Sequence, residues 1–247
     1  MPQDKGPWQK CIMRVLAIGC HPDDIEIGCG GTLAKYVSLG HDVFTCHMAN
    51  GNRGHAIIMP DELRVIRTKE AEDAGVVLGV KEVFNIDVND VEVDSSNMDT
   101  VKKTVDVIRY VKPDVIITHA PDDYMNDHIE TGKIVFNASF SSSIPHLFTD
   151  HEAYGKICPI YYMDTLAGVN FLPTEYVDIS DTIELKIKAV DCHVSQIKWM
   201  KEHDHIDFLD FVRTVSKFRG LQCSVPYAEG FRSCAAWPRV PVKRLLP

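Results

Sequence analysis

The sequence predicts a single-domain α/β fold in which a mostly parallel, Rossmann-like sheet carries helices on both faces. Short apolar runs alternate with helical patterns four times between residues 12 and 118, which is typical of a doubly wound parallel sheet. The chain has 247 residues, 45% of them hydrophobic and 25% charged, as in an ordinary globular protein. At this length one domain buries roughly 70–75% of the surface that its unfolded chain exposes, so the core needs no disulfide or metal.

Each element follows from a local signal. A run rich in β-forming residues predicts the first strand over 12–19, and a helical pattern over 30–39 ends at Gly40. Apolar runs and helical patterns then alternate again. The elements they predict are strands 42–48, 82–86, 114–118, 159–163 and 227–232 and helices 61–78, 98–111, 128–140, 183–200 and 208–220. We expect the later elements to extend the same sheet and cover its active edge, and residues 1–11 to form a loose N-terminal segment.

Composition and charge favour a small-molecule partner. Lys and Arg number 26 against 35 Asp and Glu, and the net charge of −9 disfavours contact with nucleic acid or an anionic membrane. The first ten residues lack a signal-peptide pattern, and no apolar run approaches the roughly 18 residues of a membrane span. We therefore expect a cytoplasmic protein. The eight cysteines contain no C-x-x-C pair and are expected to be reduced thiols.

Two polar segments follow predicted strands at the edge where parallel sheets bind ligands. The first runs Cys20-His21-Pro22-Asp23-Asp24-Ile25-Glu26, and the second spans residues 119–128. His21 and Asp24, three residues apart on a turn that Pro22 restrains, can bind one cation. His128 would complete a His-Asp-His set that leaves a position open for water, as in catalytic zinc sites. Asp23 would then be placed to act as a general base on that water.

Simpler interpretations exist for each of these residues. A lone histidine after a strand is more often hydrogen-bonded structure than a ligand, and Asp-Asp pairs often cap helices. The segment Gly28-Cys29-Gly30-Gly31-Thr32 could alternatively be a dinucleotide loop of a dehydrogenase or methyltransferase. It lacks the G-x-G-x-x-G spacing, and the carboxylates before it would repel a pyrophosphate. Because both polar segments follow strands of one predicted sheet, the sequence favours the metal site over these simpler interpretations.

The motif His21-Pro22-Asp23-Asp24-Ile25-Glu26-Ile27-Gly28 resembles the first motif of the zinc-dependent N-acetylglucosaminyl deacetylases, the PIG-L or LmbE-like family. The similarity extends from about residue 13 to the C-terminus. The other segments that carry it are Asn50-Gly51-Asn52-Arg53-Gly54, Arg67-Thr68-Lys69-Glu70-Ala71, residues 118–128, Ser195-Gln196 and Tyr227-Ala228-Glu229-Gly230-Phe231.

The resemblance implies a deacetylase with one zinc ion per chain, bound by His21, Asp24 and His128, and with Asp23 as the general base. Zinc would polarise the amide carbonyl of an N-acetylated sugar, and Asp23 would take a proton from the zinc-bound water and pass it to the leaving amine. The products would be acetate and a free amino sugar. Relatives often form trimers or hexamers, so a homo-oligomer is expected by analogy. Iron or another divalent ion also suits a His₂-carboxylate site.

Position 125 departs from the family pattern. Many relatives carry a histidine three residues before the last ligand, where it is thought to stabilise the oxyanion, but this chain has Met125. A thioether cannot donate a hydrogen bond, and Tyr124 and zinc are the candidate substitutes. This departure keeps open an alternative interpretation, a non-catalytic or catalytically altered sugar-binding module.

Residues around the motifs have expected supporting roles. Arg67 and Arg53 are candidates for binding substrate, together with Tyr124 and Met125, although Arg67 could instead pair with Glu70 one helical turn away. Three further residues are expected to orient the metal ligands: Glu26, His119 and Asp127.

Overall fold

One mixed sheet of seven strands forms the centre of the fold in the computed structural model, which describes residues 12–247. The expected N-terminal segment 1–11 lies outside the described residues. The strands are β1 Arg14–Gly19, β2 Asp42–Ala49, β3 Glu82–Val88, β4 Val115–Thr118, β5 Ile160–Met163, β6 Glu175–Asp178 and β7 Ala228–Ser233. The helices are α1 Asp24–Ser38, α2 Pro60–Leu78, α3 Met98–Val111, α4 Asn126–Ser141, α5 Ile183–Asp191, α6 Val194–His203 and α7 Phe208–Cys223.

The strand order β3-β2-β1-β4-β5-β7-β6 confirms the predicted Rossmann-like sheet. The first five strands in this order are parallel, and β7 pairs antiparallel with both β5 and β6. β1 lies in the middle of the parallel part, between β2 and β4. The loops that follow β1 and β4 therefore start side by side at one edge of the sheet.

Both faces of the sheet are buried, as the near-continuous apolar strands require. Successive residues of β1 point to opposite faces: Val15 and Ala17 join the core under α1, α2, α5 and α7, whereas Leu16 and Ile18 join the core under α3 and α4. None of the helices in residues 12–247 is long and apolar enough to cross a bilayer.

Helix α1 begins at Asp24, six residues before its predicted start at residue 30. The glycines at 28, 30 and 31 lower the helix propensity of this segment, so the pattern did not predict the first turns of α1. Tertiary packing explains at least one of them: a Cβ on Gly31 would lie 2.8 Å from Cδ1 of Ile179. This close approach brings α1 against the segment that follows β6.

The predicted helix 183–200 is wrong as one element, because it divides into α5 and α6 at Cys192 and His193. The start of α6 is fixed by a distant partner: the carboxylate of Glu70 on α2 accepts hydrogen bonds from the Ser195 backbone N–H and hydroxyl, both at 2.7 Å. Strand β6 was not predicted from the sequence. It is a short edge strand of four residues, of which only Val177 is buried.

A buried ion pair ties α1 to the last strand. The Lys186 ammonium lies 2.6 Å from the Glu229 carboxylate, and each side chain is 2% exposed. The same carboxylate accepts hydrogen bonds from the backbone N–H groups of Gly31 and Thr32, at 2.9 and 2.8 Å, and Lys186 also donates to the Ile27 carbonyl at 2.7 Å. Glu229 therefore joins α1, α5 and β7 through charge-assisted hydrogen bonds.

We expect Glu229→Ala to lower the free energy of unfolding by about 3–5 kcal/mol, because it leaves the Lys186 charge buried without a counter-ion. Urea unfolding followed by circular dichroism measures the change. The matched control is Glu184→Ala, which removes a 68% exposed partner of Arg213 and should cost no more than about 1 kcal/mol. Equal effects of the two substitutions would contradict this account of the buried pair.

Candidate metal centre and active site

The carboxylate of Asp24 is the centre of the candidate site. Its Oδ2 atom lies 3.2 Å from Nδ1 of His21, 3.2 Å from Nε2 of His128 and 3.4 Å from Nε2 of His119. The same oxygen accepts the backbone N–H of His21 at 2.6 Å. Two of these groups come from the end of β1, His21 in the loop and Asp24 at the start of α1. The other two come from the end of β4, His119 directly after the strand and His128 in the first turn of α4. Burial alone would raise the pKa of Asp24, but the histidines, led by His128, hold it well below its usual range.

His128 is oriented as a metal ligand would be. Its Nδ1 lies 3.1 Å from Oδ2 of the buried Asp123, which keeps a proton on Nδ1. The Nε2 atom of His128 is buried, faces Asp24, and makes no hydrogen bond within residues 12–247. An unpaired imidazole nitrogen beside a buried carboxylate fits a cation between them. Asp123 was missed in the sequence, although its place five residues before His128 in the second polar segment was a signal.

His119 has a different environment from His128. Its Nε2 atom accepts the backbone N–H of Cys20 at 2.9 Å, and its ring stacks on that of His128 with centroids 3.9 Å apart. Burial and the neighbouring His128 lower the pKa of His119 to about 4, so the ring is neutral at pH 7. Because the Nε2 lone pair is already engaged, His119 supports the His128 ring in this arrangement.

Two overlapping groups of side chains have donor atoms close enough to share a metal ion. One consists of Asp24, His119 and His128 and the other of Cys20, His21 and Asp24, with the donor atoms of each group within 4.8 Å of one another. The Nε2 atom of His21 lies 3.4 Å from Oδ2 of Asp127. Asp127 in turn accepts the backbone N–H of Val91 at 2.7 Å, so it can fix the ring of His21. The set His21, Asp24 and His128 stays a prediction.

Asp23 lies beside the cluster in a strained backbone conformation. Its φ of 138° is one that L residues rarely adopt, and such outliers persist where the surroundings over-determine them, often at functional sites. Burial raises the pKa of Asp23 to about 6, although Arg67 opposes the shift. A carboxyl group with this pKa exchanges protons near neutral pH, as a general acid or base must.

Arg67 on α2 holds the Asp23 loop. The guanidinium is 3% exposed, lies 3.3 Å from the Asp23 carboxylate, and donates to the carbonyls of Pro22 at 2.7 Å and Gly51 at 3.2 Å. The alternative partner Glu70 bonds Ser195 instead. A Cβ on Gly51, whose φ is +75°, would lie 2.5 Å from Nε of Arg67, so this position requires glycine.

A cleft of about 230 Å³ opens beside Asp23 and Asp24. Of the four residues expected to bind substrate, Arg67 and Met125 line it, whereas Arg53 and Tyr124 do not. Arg53 donates to the Asp90 carbonyl and to Glu92, both at 2.5 Å, and the Tyr124 hydroxyl faces the Leu166 carbonyl at 3.4 Å. The polar groups in the cleft lining are His21, Asp23, Asp24, Arg67, Asp90 and Gln196.

Sequence reasoning also missed a buried cluster under the Asp23 loop. Nε2 of the fully buried His193 lies 3.3 Å from the Glu26 carboxylate, and Nδ1 of His47 lies 3.2 Å from the His21 carbonyl. Burial lowers the pKa of His193, but Glu26 and Asp23 outweigh this effect and raise it. His193 lies in the break between α5 and α6, which was not predicted from the sequence. Glu26 thus faces His193 as well as standing next to the predicted ligands.

Buried imidazoles and carboxylates at the carboxyl edge of a doubly wound sheet, open to a cleft, form a candidate metal site of an α/β enzyme. Comparison with known proteins agrees. The sequence model of the PIG-L family, described as GlcNAc-PI de-N-acetylase, matches residues 16–139. The chain therefore belongs to the PIG-L family, as the motifs had predicted, and is an N-deacetylase-type hydrolase.

Individual relatives cover most of the chain. A diacetylchitobiose deacetylase from Thermococcus kodakarensis is 29% identical over 233 residues, covering 90% of this chain and 83% of that protein. The solved structure of N,N'-diacetylchitobiose deacetylase from Pyrococcus horikoshii has a TM-score of 0.77 and 30% identity, covering 89% of this chain and 83% of its own. A 4-oxalmesaconate hydratase from Pseudomonas putida is 23% identical over 245 residues, covering 91% of this chain and 90% of that protein.

We expect Asp123→Asn to weaken metal binding about 10–100-fold, because the amide no longer fixes the tautomer and orientation of His128. Competition with a chromophoric chelator measures the dissociation constant for zinc. The neighbouring Asp122→Asn removes a 57% exposed partner of Arg232 and should leave the constant unchanged. If both variants bind zinc like the parent protein, Asp123 has no role in orienting a metal ligand.

Proposed function

We propose that the protein is a zinc-dependent hydrolase that removes the acetyl group from a small N-acetylglucosamine-type sugar or glycoside. One observation carries the proposal. The Asp24 carboxylate oxygen has three imidazole nitrogens within 3.4 Å, and the second buried carboxylate, Asp23, lies beside it at the end of a cleft. The deacetylases among the relatives support this substrate class.

His21, Asp24 and His128 would hold one zinc ion per chain. The unpaired Nε2 of His128 and the hydrogen-bonded Nε2 of His119 support this choice among the four donors. Zinc supplies a Lewis acid that polarises a carbonyl and lowers the pKa of water, chemistry that suits amide hydrolysis. Asp127 and Asp123 would keep the imidazoles of His21 and His128 in place.

Asp23 would move the proton of the reaction. Its carboxylate oxygen accepts a proton from the attacking water and then delivers it to the amide nitrogen, which leaves as an amine. Arg67 holds both this carboxylate and the loop carbonyls before it, so the base is oriented before substrate arrives. We also propose that Arg67 and Met125 contact the sugar, because both line the cleft.

The size of a second cavity supports acetyl as the acyl group. This cavity has a volume of about 30 Å³ and adjoins Asp24 and His128, with Ile27, Met163 and Val212 in its lining. A cavity needs about 10–15 Å³ by this measure to hold one water molecule, so the space can accept a group as small as a methyl.

We expect Asp23→Asn to retain zinc and to lose about 10²–10⁴-fold in acetate release, because the amide cannot accept the proton. An enzymatic acetate assay on N-acetylglucosaminides, with metal content measured on the same samples, tests this. His21→Ala and His128→Ala should lose zinc instead, and the exposed Asp181→Asn should match the parent. Full activity of Asp23→Asn would remove Asp23 as the base.

The same assay separates the alternatives. Zinc-loaded protein that releases no acetate from any N-acetylated sugar, and whose Asp23→Asn form binds those sugars unchanged, would indicate a binding module. A relative named as a hydratase shows that metal content alone cannot decide the chemistry. Stoichiometric zinc without nucleotide absorbance would exclude the dehydrogenase and methyltransferase interpretations.

We expect Met125→His to raise the turnover number of acetate release, by up to about 10²-fold. Met125 lines the cleft and precedes the first residue of α4, but its thioether offers no donor to an oxyanion. One such donor is typically worth about 10²–10³-fold in turnover. The isosteric control Met125→Leu should not increase the rate. A Met125→His variant no faster than Met125→Leu would show that another group already stabilises the oxyanion.

A further inference from the structure

We propose that the aglycone attached to the acetamido sugar is uncharged and presents an apolar face to the cleft. Glycosides with an aryl or similarly apolar aglycone are then preferred over glycosides whose aglycone carries a carboxylate or a phosphate. This inference rests on the proposed function, because it names the substrate class of the same cleft. Two independent features of the lining carry it, its cations and its apolar side chains.

The cleft has no cation free to bind an acidic aglycone. Among the described residues that line it, only His21 and Arg67 can be positively charged. His21 belongs to the candidate metal site, and the Arg67 guanidinium is already paired with the Asp23 carboxylate and donates to two backbone carbonyls. Recognition of a carboxylate or phosphate usually uses a free, forked arginine or a lysine. Here the guanidinium already neutralises a group of the protein itself.

The cleft also contains a carboxylate that is not part of the proposed chemistry. Asp90 is 5% exposed, and its two oxygens accept the backbone N–H groups of Gly51 and Arg53 at 2.8 and 3.0 Å. Both of these partners are backbone groups, which carry no charge to neutralise the carboxylate. With Asp23 and Asp24, the lining therefore has three carboxylates against one guanidinium. An anionic aglycone gains no net attraction from this lining.

Apart from Gln196, whose Nε2 donates to the Gly54 carbonyl at 3.1 Å, the remaining side chains of the lining are apolar. Met125, Leu166, Met200 and Phe208 come from four different places: the residue before α4, the turn Leu166–Gly168, α6 and the first residue of α7. A charged group placed against these side chains would lose its hydration without a compensating partner, whereas an apolar ring would gain from burial. Methionine adapts to ligands of varied shape, which favours an apolar face over one fixed polar pattern.

Two glycosides that differ by one carboxylate test the inference. We expect the phenyl glycoside of N-acetylglucosamine to exceed the 4-carboxyphenyl glycoside in kcat/KM for acetate release by at least about tenfold. The methyl glycoside should fall below the phenyl glycoside, because it lacks the apolar face. Equal or better use of the carboxyphenyl glycoside would overturn the proposal.

A pair of variants assigns the discrimination to the cleft. Met200→Lys places a cation in the lining and should raise the carboxyphenyl to phenyl ratio of kcat/KM by about tenfold. Val194→Lys adds the same charge to the same helix, at a position that is 61% exposed and outside the cleft lining. It should leave the ratio unchanged within about twofold, since exposed charges are screened by salt. The same rise in both variants would contradict a local effect of the lining.

Binding distinguishes failure of this inference from failure of the proposed function. The two deacetylated products, phenyl and 4-carboxyphenyl glucosaminide, can be titrated into the metal-loaded protein by calorimetry whether or not the protein turns over. Absence of acetate release together with tighter binding of the phenyl product would reject the deacetylase and retain the uncharged, apolar ligand class. Acetate release together with tighter binding of the carboxyphenyl product would retain the deacetylase and reject the uncharged, apolar ligand class.

Discussion

The site depends on one electrostatic constraint, the burial of the Asp24 carboxylate. A carboxylate that is 8% exposed must be compensated by donors or cations. Here the backbone N–H of His21 donates to it, and the surrounding imidazole nitrogens lie close enough to share a metal ion with it. The loop after β1 supplies His21, and the first residue of α1 supplies the carboxylate. The residue after β4 is His119, and the first turn of α4 supplies His128. The parallel pairing of β1 with β4 is what brings these groups to the same point.

Asp23 and Asp24 are held by different partners, although they are neighbours in sequence. Asp24 faces the histidines, whereas Asp23 turns away from its neighbour through a backbone of φ 138° and meets Arg67 of α2. A helical or extended φ would place both carboxylates differently, and the loop tolerates the strain because Arg67 binds the Pro22 carbonyl. The backbone conformation at Asp23 therefore helps to direct the two adjacent aspartates to different partners.

Sequence reasoning found the features that depend on local order. The alternation of apolar runs with helical patterns predicted four of the five parallel strands, and the spacing of His21 and Asp24 identified two groups that do meet. It missed features whose cause is remote in sequence. Asp123 as the partner of His128 requires the loop geometry, and the break between α5 and α6 depends on Glu70, 125 residues before Ser195. Arg53 and Tyr124 could be placed near the site by their motifs, but only the folded loops show that neither lines the cleft.

The ion pair of Lys186 and Glu229 shows that the region matched by the family model is smaller than the unit that packs together. The recognised family region spans residues 16–139, yet the first helix of that region is bonded in its middle by a glutamate 90 residues beyond the region's end. Residues 16–139 taken alone would expose these backbone groups, the surface of Gly31 and half of the core beneath α1. Residues 16–139 therefore depend on the later part of the chain for a complete core. A change of Glu229 in β7 would act on α1, and so on the Asp24 position at the start of that helix, without any contact with substrate.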